Sequence, residues 1–118
     1  MNAKPDRKPL FFLHGEVRTP PFGEEARREA GDALRRVQEG EALPMPLSRP
    51  MPSIGRRCHE LRIDDAAARL TWRIVYRTDA DAVVVAGIFP KKTRATPKPE
   101  IDNCKARLAR YDRDAKGD

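Results

Sequence analysis

The amino-acid sequence predicts an α+β fold in which a small antiparallel β-sheet packs against an N-terminal helix and is followed by a C-terminal helix. Three observations support this prediction. Residues 56–63 and 70–77 alternate apolar with polar side chains, which is the two-residue period of a strand. Residues 82–89 form an apolar, β-prone run that ends at Pro90, a residue that cannot donate to a ladder. Residues 21–39 instead repeat apolar side chains at helical spacing.

The N-terminal third supplies a tail, a strand and a helix. Residues 1–9 are polar and charged and predict a flexible tail, whereas the sequence Leu-Phe-Phe-Leu at residues 10–13 predicts a first strand. A Thr-Pro-Pro sequence starts the helix, because prolines are tolerated in the first turn, and Gly40 ends it. The apolar stripe of this helix consists of Phe22, Ala26, Ala30, Ala33, Leu34 and Val37.

The remaining elements follow in chain order. Residues 41–55 are rich in proline and predict an extended linker. The three strands come next and form a meander, in which residues 64–69 and 78–81 are the hairpin connections. Pro97 opens a C-terminal helix with apolar residues on one stripe. We therefore expect a single domain over residues 10–113, with tails at residues 1–9 and 114–118.

The charge of the chain favours a polyanionic partner. The net charge is +6 and the isoelectric point is about 9.7, which favours nucleic acid over a membrane surface. No apolar run approaches the roughly 20 residues of a spanning helix, and the polar N-terminus predicts no signal peptide. Cys58 and Cys104 are typical of reduced thiols in a cytoplasmic protein. Together with His14 and His59 they have no metal-ligand spacing, so we expect neither a metal nor a cofactor.

Basic side chains gather where the predicted sheet ends. Lys91, Lys92 and Arg94 follow the buried strand directly, which is how a rigid scaffold presents a site for an anion. The alternation places Arg62 and Arg73 on the sheet face opposite the N-terminal helix, so we expect a basic face fed by three strands. The alternative is that the two lysines only protect a sheet edge or solubilise a loop.

Several short motifs resemble one protein family in their order and spacing. The Phe-x-Lys-Lys-Thr-x-x-Thr-Pro block followed by a helix is the most specific of them. On these motifs the chain, over about residues 10–112, resembles the RelE/HigB superfamily of type II toxins, and in particular its phage-derived toxin-like branch. The segments that carry the resemblance are residues 29–34 with 37–40, Glu60-Leu61-Arg62, Trp72-Arg73-Ile74-Val75-Tyr76, and Phe89-Pro90-Lys91-Lys92-Thr93 with Thr96-Pro97 and Glu100-Ile101.

The resemblance implies a fold, an activity and partners. It implies a helix or helix pair on a small antiparallel sheet, ribosome-dependent cleavage of mRNA, and neutralisation by a cognate antitoxin, often a helix-turn-helix protein. The expected partners are therefore an antitoxin, the ribosome and mRNA. ParE-like members of the superfamily act on gyrase and are not nucleases, so a non-catalytic binder of gyrase or nucleic acid is the alternative. Gly87-Ile88 stand where relatives commonly carry a histidine followed by alanine or glycine.

Metal-independent RNA cleavage sets the roles of the candidate residues. A 2′-hydroxyl attacks the neighbouring phosphate, so the enzyme must stabilise the developing charge, remove one proton and supply another. Arg62 and Arg73 are the first candidates for charge stabilisation, because a guanidinium pairs with two phosphate oxygens. Lys91 and Lys92 are candidates for holding the phosphate or for proton transfer. The residues predicted to contact RNA or the ribosome outside this set are Arg77, Arg94 and Lys98.

Alternatives stay open for three side chains. Glu60 is a further proton-transfer candidate, but it is also placed to pair with Arg73 across the meander and orient it. Tyr76 is the last proton-transfer candidate, although the alternation places it on the core side. Trp72 shares its face with apolar residues, which favours the core over a base-stacking role.

Overall fold

The computed structural model describes residues 7–15 and 22–115 and confirms the predicted α+β fold. Within these residues five strands form one sheet in the order β1-β5-β4-β3-β2, with a helix on each face. The elements are β1 (Leu10–Phe12), α1 (Glu24–Gln38), β2 (Ser48–Pro50), β3 (Cys58–Asp65), β4 (Leu70–Thr78), β5 (Val83–Pro90) and α2 (Lys98–Ala115). Neither helix in this part of the chain is long and apolar enough to cross a bilayer.

The meander of β3, β4 and β5 agrees with the sequence prediction to within two residues at each end. Two parts of the sheet differ from the prediction. The predicted linker at residues 41–55 contains β2, which pairs antiparallel with β3. The sheet is also mixed, because β1 pairs parallel with β5. The Thr-Pro-Pro helix start and most of the two predicted tails lie outside the described residues, so the flexibility of the tails stays a prediction.

The face of the sheet under α1 is the larger apolar core. Trp72 is buried there, as predicted, and stacks on Phe22 with ring centroids 4.4 Å apart. The N-terminus of α1 has no side-chain cap of its own. Asp65 instead accepts hydrogen bonds from the Gly23 N–H and from Trp72 Nε1, both at 2.8 Å. These bonds, the Gly23 bond first, lower the pKa of the Asp65 carboxyl group.

The opposite face is covered by α2. A β-bulge in the β4–β5 pairing lies between Val75 and Tyr76, and the Ala86 carbonyl across from it accepts a hydrogen bond from Arg107 of α2 at 2.9 Å. Next to the bulge the helix approaches so closely that a Cβ on Gly87 would lie 2.8 Å from the sulfur of Cys104. Strand β5 is therefore buried on both faces, as its apolar sequence predicts.

Candidate functional site

Arg62 and Arg73 are direct cross-strand partners on β3 and β4 and share the α2 face of the sheet. The prediction that they lie on one strand face is confirmed. Their surroundings differ, because the side chain of Arg73 is 0% exposed whereas Arg62 is only partly buried. The loop between β5 and α2 folds over Arg73. The predicted basic surface is therefore wrong at this position: alternation fixes the face of a residue but not what covers that face.

Arg73 uses its guanidinium to hold that loop. One terminal nitrogen, Nη2, donates to the carbonyl oxygens of Thr93 at 2.8 Å and Arg94 at 2.7 Å. The other, Nη1, donates to the Thr96 hydroxyl at 3.2 Å. Burial lowers the pKa of Arg73, and the neighbouring negative charge of Glu60 opposes that shift. Arg73 thus fixes the backbone of the segment that carries the lysine pair.

Glu60 lies beside Arg73 and is closed to solvent as well, with 0% of its side chain exposed. Its Oε1 lies 3.7 Å from Arg73 Nε, and its Oε2 accepts a hydrogen bond from the Thr96 hydroxyl at 2.8 Å. The predicted pairing of Glu60 with Arg73 is present as this ion pair, whereas the prediction that Glu60 orients Arg73 stays a prediction. The part of either residue in a reaction stays a prediction.

Arg49 joins the same cluster and was not predicted from the sequence. It is the cross-strand partner of Glu60 on β2, with Nη2 3.4 Å from Glu60 Oε1 and 34% of its side chain exposed. No sequence signal marks it, because a three-residue strand ending in proline is too short to show a period.

Beyond Arg73 the same face is uncovered, and we call this region the open corner, defined by Arg62, Asp64, Thr71 and Lys91. Thr71 is the cross-strand partner of Asp64, and its hydroxyl donates to Asp64 Oδ1 at 2.9 Å. Lys91 keeps the register of β5, because its N–H donates to the Thr71 carbonyl at 2.7 Å. A cavity of about 420 Å³ opens here, lined by Glu29, Pro46, Leu47, Arg62, Asp64 and Thr71.

The cations around the open corner have no partner among the residues that the structure describes. The side chains of Arg62, Lys91, Lys92 and Arg94 form no hydrogen bond or ion pair there. From the spacing of strands and of residues along them, the Cα atoms of Arg62 and Lys91 lie about 12 Å apart, which two long side chains can span. Asp64, an exposed carboxylate two residues beyond Arg62, was missed because the sequence prediction ended the strand at residue 63.

Arg77, Lys98 and Tyr76, which were also predicted from the sequence, all have partners within the described chain. Arg77 is only 11% exposed and pairs with Asp79 at 2.8 Å and Asp112 at 2.7 Å, so it links β4 to α2. The hydrogen bond with Asp112, above all, raises the pKa of Arg77. Lys98 is exposed and pairs with Asp102 on the next turn. Tyr76 is buried, as predicted, and its hydroxyl lies 2.7 Å from that of Ser48.

The open corner has the groups that bind an anion and exchange a proton. Arg62 offers a planar set of donors whose charge no carboxylate in the described chain neutralises by contact. Asp64 lies two residues beyond Arg62 on β3 and offers an acceptor on the same face. No group of three or more acidic, histidine or cysteine side chains suited to a metal ion occurs among the described residues. The open corner therefore offers two cations, Arg62 and Lys91, to a phosphate group.

The chain matches a known protein family over most of its length. Residues 21–109 match the profile of a family described as "Phage derived protein Gp49-like (DUF891)". The match covers about three quarters of the chain and spans both helices of the fold apart from the last turns of α2. It includes every residue of the open corner. No curated protein matches the chain at a significant level.

Proposed function

The chain belongs to the Gp49-like family of phage-derived proteins, a family similar to the toxins of toxin–antitoxin systems, and on this premise we propose that it is a toxin that cleaves mRNA on the ribosome and thereby inhibits translation. The observation that supports the proposal most is the open corner, where Arg62 and Lys91, without partners among the described residues, lie near the Asp64 carboxylate. Ribosomes and mRNA are then its targets, and the cytoplasm is its place of action. An antitoxin, expected to be a helix-turn-helix protein, is its regulatory partner.

The residues of the open corner, together with Lys92, have different roles in the proposed reaction. Arg62 binds the scissile phosphate and stabilises the charge that develops when the 2′-hydroxyl attacks phosphorus. Asp64 or Lys91 accepts the 2′-hydroxyl proton, and Lys92 or Lys91 supplies a proton to the departing 5′-oxygen. The steps form a phosphorus–oxygen bond to the 2′-oxygen and break the bond to the 5′-oxygen, so no water is consumed in this step.

Other residues act at a distance from the reacting atoms. Arg73 and Glu60, proposed from the sequence as catalytic, are positioning residues in this scheme, because they hold the loop that carries Lys91 and Lys92. Arg94 and Lys98 are exposed and contact RNA or the ribosome. Arg77 contributes through its ion pairs, which fix α2 against the sheet.

One observation favours a second candidate function. Glu60 and Arg73, two of the groups expected to act in the reaction, are closed to solvent. A cationic surface without these groups is sufficient for a non-catalytic toxin that binds nucleic acid or a protein such as gyrase. In that case the protein arrests growth while mRNA stays intact.

Mapping mRNA ends in cells separates the two functions. The protein is induced, and primer extension on a translated mRNA is compared with the same mRNA carrying no ribosome-binding site. The proposal predicts new 5′ ends on the translated message only. Arg62→Ala should remove these ends, whereas Arg36→Ala, on the exposed face of α1, should keep them. Growth arrest without new ends, accompanied by loss of DNA supercoiling, would replace the nuclease by the gyrase-directed toxin.

A further inference from the structure

A second pocket lies on the α2 face beside the open corner. It has a volume of about 410 Å³ and is bounded by β2, by the loop before α2 and by the first turn of α2. Its polar lining consists of Arg49, Ser53, Arg94 and Thr96, with Ile101 on the helix side. The open-corner cavity has a different lining, so the two are separate spaces.

A buried cluster next to this pocket carries an excess of positive charge, and Thr96, which lines the pocket, donates its hydroxyl to Glu60 of that cluster. Glu60 is the one carboxylate within 4 Å of Arg49 and Arg73 among the described residues, and it faces both guanidinium groups at once. The buried nitrogens Arg49 Nε and Arg73 Nε donate no hydrogen bond to any described group, and Glu60 Oε1 accepts none. One negative charge thus serves two arginines, and Arg62 adds a third positive charge close by. An anion entering the pocket would balance this cluster.

The pocket and the open corner lie close together on the same face of the sheet. Arg49 is the cross-strand partner of Glu60, and Glu60 is two residues before Arg62 on β3. Strand geometry therefore places the Cα atoms of Arg49 and Arg62 about 8 Å apart on the same face. Arg94 lines the pocket and belongs to the same loop as Lys91. A chain of phosphates bound at Arg62 can continue directly to Arg49.

We propose that this pocket is a second phosphate subsite, in which Arg49, assisted by Arg94, binds a backbone phosphate next to the one held at the open corner. The choice of RNA as the source of that phosphate rests on the proposed function. The phosphate site itself rests on the pocket, on the partly exposed side chain of Arg49 that lines it, and on the excess charge of the buried cluster. Arg49 sets the path of the RNA strand and therefore its register at Arg62.

Binding of a short single-stranded oligoribonucleotide to the isolated full-length protein tests the subsite. Affinity is measured by fluorescence anisotropy at several salt concentrations for wild type, Arg49→Gln and Arg94→Gln. Loss of one charged contact should weaken binding about tenfold for Arg49→Gln. It should also reduce the salt dependence by about 0.7 in slope, the share of one phosphate. Arg36→Gln is the matched control, because Arg36 is an exposed arginine that also pairs with a glutamate, Glu41, on the other side of the molecule.

Two further measurements complete the test. Arg94→Gln removes a side chain without partners among the described residues, so a weaker affinity in this variant cannot come from unfolding. Titration with inorganic phosphate, followed by NMR at the amides of Thr96 and Ile101, examines the phosphate site without RNA. We expect these amides to shift in wild type and to stay in place in Arg49→Gln.

The outcomes separate the subsite from the proposed function. Equal RNA affinities in Arg49→Gln and Arg36→Gln would overturn the subsite, while new mRNA ends in cells would still support the nuclease. Phosphate-dependent shifts that RNA does not displace would assign the pocket to a free phosphate and overturn the RNA assignment. Absence of both responses in wild type would reject the phosphate site altogether. Intact mRNA in cells together with a tenfold effect of Arg49→Gln would reject the nuclease and keep the subsite.

Discussion

Arg62 and Arg73 occupy equivalent positions on the sheet but have different surroundings. They are the same residue type, lie on the same face and are direct partners across β3 and β4. Arg73 is enclosed by Glu60 and by the loop of residues 93–96, and its guanidinium holds three groups of that loop. Arg62 lies one strand away at the open corner, and no residue in the described part of the chain pairs with its charge. Arg73 therefore holds the structure of the site, whereas Arg62 is placed to bind the ligand.

The comparison predicts first that Arg73 matters far more than Arg62 for stability. Arg73→Ala removes one of the two guanidinium groups that face the buried Glu60 carboxylate, together with the three hydrogen bonds that hold the loop of residues 93–96, which should lower the free energy of unfolding by about 3–5 kcal/mol. Arg62→Ala at the partly exposed position should change it by less than about 0.5 kcal/mol. Urea denaturation of both variants measures the difference. Equal stabilities would mean that Arg73 is not the anchor described here.

A double substitution separates the anchoring role of Arg73 from its contribution to stability. Replacing both charges, as in Glu60→Leu with Arg73→Met, removes the buried ions together, so most of the stability lost in Arg73→Ala should return. The loop of residues 93–96 then lacks its three hydrogen bonds. We expect its amide hydrogen exchange to be faster than in wild type and mRNA cleavage to remain low. Restored stability with restored cleavage would show that the loop needs no anchor.

The other buried carboxylate, on the α1 side, gives a smaller effect that depends on pH. The pKa of Asp65 is lowered by folding, so its stabilising contribution is complete above the ordinary aspartate pKa of about 3.9 and is lost as pH falls through the lower, folded pKa. Wild type should exceed Asp65→Asn by about 1–2 kcal/mol at pH 6. The difference should shrink below about pH 4, as followed by urea denaturation across pH. A difference independent of pH would assign the effect to shape rather than charge.

The sequence predicted most of the fold because the main elements carry local periods. Strands β3 and β4 alternate over eight and nine residues, β5 is a continuous apolar run, and α1 keeps its apolar stripe over its full length. Strand β2 has three residues and no readable period, and the parallel pairing of β1 with β5 joins segments about 70 residues apart. Neither is visible in a local pattern.

The site was predictable only in part for a related reason. Alternation placed Arg62 and Arg73 on one face, and the end of β5 placed Lys91 beside them. Whether a face is open depends on which distant segment covers it. The covering of Arg73 by residues 93–96 and the approach of Arg49 from β2 both follow from tertiary contacts. Arg77 shows the same limit, since its partner Asp112 lies 35 residues away.

The central claim is that Arg62 acts on the substrate whereas Arg73 acts through the loop, and one paired measurement tests it most directly. Cleavage of a translated mRNA in a reconstituted translation system and the free energy of unfolding are measured on the same preparations of wild type, Arg62→Ala and Arg36→Ala. We predict that Arg62→Ala loses about 10²–10³ in cleavage rate at unchanged stability, as expected when one stabiliser of transition-state charge is removed. Arg36→Ala should match wild type in both. Wild-type cleavage by a folded Arg62→Ala protein would contradict the account.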